Sequence, residues 1–75
     1  MSEYFELYEW LLKKTGLDKI DEDIDLIESK TIDSVIFIEL TYNVEVLSGR
    51  SIDFTESNLD SLKTLSNIRR DFFSK

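Results

Sequence analysis

The sequence predicts an all-α fold: a four-helix bundle with three main helices, one short helix and a long loop after the first helix. Apolar residues recur at three- and four-residue spacing in three separate segments, which is typical of amphipathic helices. The two glycines, Gly16 and Gly49, stand where the first two of these segments end. A chain of 75 residues, 41% of them hydrophobic, is expected to form a single domain, 1–75, with a small core.

The composition excludes several classes of function. The chain has 16 acidic and 9 basic residues, a net charge of −7, and no His, Cys or Pro. Disulfides, thiolate or imidazole metal sites and a Ser-His-Asp triad are therefore excluded. The charge argues against nucleic acid as a partner and favours partners with basic docking surfaces. Neither a signal peptide nor an apolar run of roughly 20 residues is present, so we expect no membrane span, a cytoplasmic location and a monomer.

The first helix is predicted over residues 3–14. Glutamates occupy its first turns and lysines its last turn, an order that suits the helix dipole. Trp10 lies off the main apolar stripe and is expected at the edge of the core. The buried face is expected to contain Tyr4, Leu7, Tyr8, Leu11 and Leu12, with Phe5 beside them.

Residues 18–30 are predicted to form a long acidic loop. Its contact with the core is expected to come from three isoleucines: Ile20, Ile24 and Ile27. Three aspartates have the spacing of the first ligands of an EF-hand calcium loop: Asp21, Asp23 and Asp25. Leu26 and Ile32 stand where that motif requires Gly and Glu, so we expect a solvated loop and no metal site.

The second helix is predicted to begin at Asp33-Ser34, with either residue as its N-cap, and to run to about Leu47. Residues 35–38 are rich enough in β-branched side chains to suggest a strand, but the following residues do not alternate and no partner strand is evident. The buried face is expected to contain Val35, Ile38, Val44 and Leu47, broadened by Leu40 and Tyr42.

The rest of the chain is predicted to form a connector and two further helices. In the connector, residues 50–55, Ile52 and Phe54 are expected to point the same way. Residues 56–61 can form one or two helical turns. Thr64 is a suitable N-cap for a final helix over 65–73. Its buried stripe is expected to contain Leu65, Ile68 and Phe72.

The order of these segments resembles the acyl carrier protein family over about residues 5–73. A first helix leads to a loop with Leu26-Ile27-Glu28, which is similar to the family's Leu-x-Glu approach to its motif. Asp33-Ser34-Val35 is similar to the family's Asp-Ser-Leu motif. Gly49 with Ile52 resembles the family's Phe-Gly-Ile-x-Ile turn, and residues 62–68 resemble the start of its last helix.

The resemblance implies that Ser34 carries 4′-phosphopantetheine, attached covalently from coenzyme A by a separate phosphopantetheinyl transferase. The arm's thiol would hold an acyl or aminoacyl group as a thioester, and the protein itself would not be an enzyme. Asp33 would help to orient the transferase. The docking surface for loading and transferring enzymes with basic surfaces would include Val35, Glu39 and Glu45, although a solvated helix face explains the two glutamates equally well.

Departures from the family pattern favour a specialised carrier within fatty acid, polyketide or nonribosomal biosynthesis. No Gly precedes Asp33, Val35 replaces the common Leu or Met, and Ser48 stands where a Phe normally precedes the Gly. A second serine, in Asp60-Ser61-Leu62, matches the motif more literally. Only 14 residues follow Ser61, whereas 41 follow Ser34, as the family's later helices require.

Two other classes of function stay open. The first is an unmodified helical protein-interaction module with a carrier-like fold and a docking face of Trp10, Phe37 and Tyr42. The second, which the sequence favours less, is a small hydrolase built on carboxylates. It would need a pocket with paired carboxyl groups of shifted pKa.

Overall fold

A computed structural model describes residues 2–53 and 55–74. It contains four α-helices: α1 (Glu3–Thr15), α2 (Ser34–Ser48), α3 (Glu56–Ser61) and α4 (Leu65–Ile68). A π-helical segment, Arg69–Phe73, continues α4, so the two together span the predicted final helix. The described ranges contain no strand, and the all-α prediction is confirmed.

Helix α1 begins and ends at two capping residues. The Ser2 hydroxyl accepts a hydrogen bond from the Phe5 N–H at 3.3 Å. Gly16 ends the helix in the left-handed conformation, with a φ of 75°, and its N–H donates to the Leu12 carbonyl at 2.8 Å. Leu7 and Leu11 are fully buried, as predicted, because they lie on the face that packs against the other helices.

The loop between α1 and α2 uses its aspartates to close turns. Asp21 Oδ1 accepts from the Asp23 N–H at 2.8 Å, and Asp25 Oδ1 accepts from the Ile27 and Glu28 N–H groups at 3.0 and 2.9 Å. Such side-chain to backbone bonds are characteristic of Asx-turns. Across residues 2–53 and 55–74, no group of three or more acidic, His or Cys side chains is placed to hold a metal ion.

The loop contacts the core through one of the three residues expected and through two others. Ile20 is buried, as predicted, but Ile24 and Ile27 are exposed, and the prediction that they anchor the loop was wrong. Leu26 and Ile32 are buried instead. The backbone explains the difference, since the Leu26 N–H donates to the Lys63 carbonyl at 2.8 Å and so draws Leu26 inward beside α3.

Helix α2 buries only part of the face that was predicted. Leu40 and Val44 are buried, as predicted, and Leu47 is half-buried. Val35, Ile38 and Tyr42 are exposed, so their prediction was wrong, and Thr41 is buried instead. The helix is apolar around most of its circumference, so the spacing of its apolar residues does not decide which side faces the core. The buried Thr41 hydroxyl donates to the Phe37 carbonyl at 3.0 Å, which satisfies its hydrogen-bonding capacity.

One core joins α1, the loop, α2, the connector and α4. Ile52 of the connector is buried, as predicted, while Phe54 lies outside the described residues. Phe72 is half-buried against the core. No helix within the described part of the chain is both long and apolar enough to cross a bilayer. The core contains Leu7, Leu11, Ile20, Leu26, Ile32, Leu40, Val44, Ile52, Leu62, Leu65 and Ile68.

Candidate functional site

Ser34 is the first residue of α2, and its side chain is exposed. The N-cap of the helix is Asp33, whose Oδ1 accepts from the Ile36 N–H at 2.9 Å and whose carbonyl accepts from the Phe37 N–H at 2.9 Å. Of the two caps that the sequence allowed, the structure therefore uses Asp33. Ser34, which follows Asp33, therefore has no capping role that would explain a serine at this position.

An apolar groove of about 360 Å³ opens beside Ser34. It lies between the loop, α2 and α3. Its apolar lining comes from one side chain of each of these elements: Ile27, Phe37 and Leu59. Phe37 is half-buried and packs against the core, so it closes the groove on that side. The serine hydroxyl thus stands at the edge of a small apolar site.

The edge of the groove is mainly acidic. Asp25 and Glu28 of the loop line it, together with Lys63, which follows α3. The Lys63 ammonium is 3.0 Å from Asp60 Oδ1. This hydrogen bond is the largest of the effects that raise the pKa of Lys63 above its ordinary value, and the carboxylates of Asp25 and Glu28 raise it further. The cation of the groove is therefore already paired.

The two glutamates predicted as docking residues both have partners within the fold. The Glu39 carboxylate lies 3.2 Å from the Lys14 Nζ of α1. Glu45 Oε2 accepts a hydrogen bond from the Ile52 N–H at 2.7 Å. These contacts attach α2 to α1 and to the connector. Sequence reasoning did not find them because the partners are 25 and 7 residues away along the chain.

The outward face of α2 is an apolar stripe that includes three residues predicted to lie in the core. Its members are exposed by 59 to 65%: Val35, Ile38, Tyr42 and Val46. The stripe starts next to Ser34 and extends over three helical turns. Contiguous exposed apolar surface on a small protein commonly marks an interaction site. Of the residues proposed for an unmodified docking module, Tyr42 lies on this face, whereas Trp10 and Phe37 pack against the core.

The second serine of the sequence has a different environment. Ser61 is the last residue of α3 and is half-buried, and the next residue, Leu62, is fully buried. The pKa of the Asp71 carboxyl is lowered mainly by its hydrogen bond with Arg70, and the nearby Ser61 hydroxyl lowers it further. Ser61 is therefore held within the fold, whereas Ser34 is exposed at the start of a helix.

Comparisons with protein-family models, with curated proteins and with solved structures return no significant match.

Proposed function

We propose that this protein is a free-standing carrier with an acyl-carrier-like fold, which holds an acyl or aminoacyl group as a thioester on a 4′-phosphopantetheine arm attached to Ser34. The observation that carries the proposal is the position of this serine. Ser34 is exposed at the start of α2 and lies beside an apolar groove. Its side chain is not needed to cap the helix, because Asp33 is the N-cap. Such a position suits attachment by a separate enzyme and leaves space for the attached group.

The start of α2 also suits the phosphate of the arm. The first N–H groups of a helix have no acceptor in the preceding turn, and the helix dipole favours negative charge there. Asp33 accepts hydrogen bonds from the Ile36 and Phe37 N–H groups, so those of Ser34 and Val35 could donate to a phosphodiester on the serine. The residues present therefore fit the group. When bound, the arm supplies a thiol, a nucleophile that this Cys-free chain lacks.

In the attachment step, the Ser34 hydroxyl forms the new Oγ–P bond. The P–O bond within the pyrophosphate of coenzyme A breaks, and the adenosine bisphosphate leaves. The hydroxyl proton goes to a base on the transferase. Asp33 holds the start of the helix and, with it, the serine in position during the reaction.

The partners in this proposal are the phosphopantetheinyl transferase and the enzymes that load and remove the acyl or aminoacyl group in a specialised biosynthetic pathway. The apolar stripe of α2 begins beside Ser34, so an enzyme that covers the stripe also receives the arm. Within this surface, Val35 contributes apolar area, while Glu39 and Glu45 keep α2 in place.

The direct test is the intact mass of the protein after incubation with coenzyme A and a promiscuous phosphopantetheinyl transferase. We expect one added phosphopantetheinyl group, which peptide mapping locates on Ser34. Ser34→Ala should abolish the gain, and the matched variant Ser61→Ala should retain it. An unmodified wild type, with the transferase active on a control carrier, or modification at Ser61, would refute the proposal.

A second candidate is an unmodified interaction module with a carrier-like fold. The apolar stripe of α2 favours it, because an exposed stripe of this length is suited to a partner whether or not the serine is modified. The mass experiment separates the two candidates. Absence of any mass gain on the folded wild type would favour the module.

A further inference from the structure

We propose that a cleft between α1 and the acidic loop binds an organic guanidinium cation with a short hydrocarbon stem. The cleft has a volume of about 580 Å³ and shares no lining residue with the groove beside Ser34. Ligand sites commonly have volumes of roughly 300–1,000 Å³, so the cleft is large enough for a small organic molecule. Helix α1 contributes aromatic rings to its lining, and the loop contributes charges.

Three aromatic side chains of α1 line the cleft: Tyr4, Phe5 and Tyr8. Residues three and four apart are neighbours on a helix, so Tyr8 lies beside both of the other rings. The two tyrosines are held in place, because Tyr4 donates a hydrogen bond to Glu22 and the Tyr8 hydroxyl accepts one from the Ile20 N–H at 3.1 Å. Phe5 is 44% exposed, so its ring is open to a ligand. The face of an aromatic ring attracts cations, most often guanidinium groups.

The charges of the cleft favour a single positive charge. Glu22 lies 3.2 Å from Arg69 Nη1, so this carboxylate is already neutralised. Among the other described residues that line the cleft, two carry exposed carboxylates, Asp21 and Asp23, and one carries an ammonium, Lys19. They leave one net negative charge. A monovalent cation would neutralise it, whereas an anion would be repelled.

The fold already holds one guanidinium beside this cleft in the arrangement that we propose. The Arg69 guanidinium lies 5.2 Å from the centre of the Tyr4 ring and pairs with the Glu22 carboxylate. Phe5 offers a second ring, and Asp21 and Asp23 offer further carboxylates, to a cation from solution. A guanidinium suits such a site because it is planar, weakly hydrated and able to donate two parallel hydrogen bonds to one carboxylate.

An NMR titration with butylguanidinium tests the proposal. We expect shifts of the Phe5, Tyr8 and Asp21 amide signals with a Kd on the order of 1 mM, as suits a ligand of few atoms in an open site. Butylurea, a neutral analogue of similar shape, should leave these signals unchanged. Butylammonium should bind at least about threefold more weakly, because it cannot form the two parallel hydrogen bonds. Equal binding of either analogue, or unchanged signals with butylguanidinium at about ten times the expected Kd, would overturn the proposal.

A double variant removes the charge of the site and keeps its hydrogen bonds. Asp21 Oδ1 accepts from the Asp23 N–H at 2.8 Å, and Asp23 Oδ1 accepts from the Ser66 hydroxyl at 2.7 Å. An asparagine retains this acceptor, so Asp21→Asn combined with Asp23→Asn should fold. It should bind butylguanidinium at least about fivefold more weakly. Asp18→Asn combined with Asp53→Asn is the matched control, since it removes the same charge at exposed positions outside the cleft, and its Kd should stay within about twofold of the wild type.

Two single variants test the ring and the competing cation. Phe5→Leu keeps an apolar side chain but removes the ring, and it should weaken binding by about twofold to fivefold. Lys19→Gln removes the ammonium from the cleft and should tighten binding by a similar factor. An unchanged Kd for the double asparagine variant or for Phe5→Leu, or weaker binding by Lys19→Gln, would overturn the proposal.

A second ligand identifies the source of the guanidinium. Tighter binding of acetylated and amidated glycyl-arginyl-glycine than of butylguanidinium would assign the cleft to an arginine side chain of a polypeptide. Weaker binding of the peptide would assign it to a free small molecule. Ser34→Ala should bind butylguanidinium as the wild type does, because Ser34 does not line the cleft. The result is therefore independent of the mass experiment on Ser34.

Discussion

Asp33 and Ser34 are adjacent and polar, but the fold uses them differently. The Asp33 carboxylate closes the first turn of α2, while the serine side chain is exposed. Either residue type can cap a helix, so the sequence left the choice open. The difference between them can be measured in the stability of the protein.

Asp33→Ala should lower the free energy of unfolding by about 1 kcal/mol, because it removes the hydrogen bond to the Ile36 N–H. Ser34→Ala should change it by less than about 0.5 kcal/mol, as is usual for an exposed side chain. Urea unfolding of both variants checks the prediction. Equal losses for the two would show that Ser34 shares the capping role.

Lys30 forms the bend that precedes α2. Its φ is 61°, in the left-handed region, and its N–H donates to the Ile27 carbonyl at 2.9 Å. The sequence offers no glycine between Gly16 and Asp33, so a lysine adopts a conformation that usually belongs to glycine. The bend before α2 therefore carries backbone strain at Lys30.

At the scale of the element, α2 has two apolar faces, one buried in the core and one exposed to solvent. Leu40 and Val44 lie in the core, and Ile38 and Tyr42 point outward. The hydrogen bond from Ile52 to Glu45 and the ion pair of Lys14 with Glu39 attach the helix to its neighbours. Both acidic side chains of α2 thus help to position the helix, and its outward face is left apolar.

Alanine substitutions on the two faces should differ sharply in stability. Leu40→Ala should cost about 2–5 kcal/mol, because it leaves a cavity in a fully buried site. Ile38→Ala should cost less than about 1 kcal/mol, since 59% of its surface is exposed. Denaturant unfolding measures both losses of free energy, provided that the slope of the unfolding free energy against denaturant concentration is unchanged. A loss at Ile38 as large as at Leu40 would mean that the helix is rotated about its axis.

At the scale of the whole molecule, Glu22 connects the loop to both ends of the chain. Its carboxylate accepts a hydrogen bond from the Tyr4 hydroxyl of α1 and lies 3.2 Å from the Arg69 Nη1 of the π-helical segment. The Arg69 guanidinium is 5.2 Å from the centre of the Tyr4 ring. The Glu22 carbonyl also accepts from the Ser66 N–H at 2.9 Å. The long loop is therefore fixed at its middle.

This connection predicts a loss of stability at alkaline pH. Burial, followed by the hydrogen bond to Glu22, raises the pKa of the Tyr4 hydroxyl well above its ordinary value. The folded protein therefore favours neutral Tyr4. Its contribution is fully present below the unfolded pKa of about 10 and is lost progressively as the pH rises from there toward the higher pKa of the folded state.

Urea unfolding between about pH 8 and pH 11.5 measures this effect, and the variants identify the residue. Tyr4→Phe should be less stable than the wild type at neutral pH and should lose less stability as the pH rises. Tyr42→Phe is the matched control, because Tyr42 is exposed on α2, and it should follow the wild type. An identical alkaline slope for Tyr4→Phe and the wild type would contradict the role of Tyr4.

The sequence by itself determined the helices, their ends and the position of the candidate serine. Capping residues, glycines and apolar spacing act within a few residues of one another, so Gly16, Gly49 and Thr64 could be interpreted without the fold. The tertiary structure alone decided which face of α2 is buried, that Leu26 rather than Ile27 enters the core, and that Glu39 and Glu45 bind Lys14 and the Ile52 N–H. These outcomes depend on contacts with distant residues. A helix that is apolar nearly all round buries whichever face its neighbours can cover.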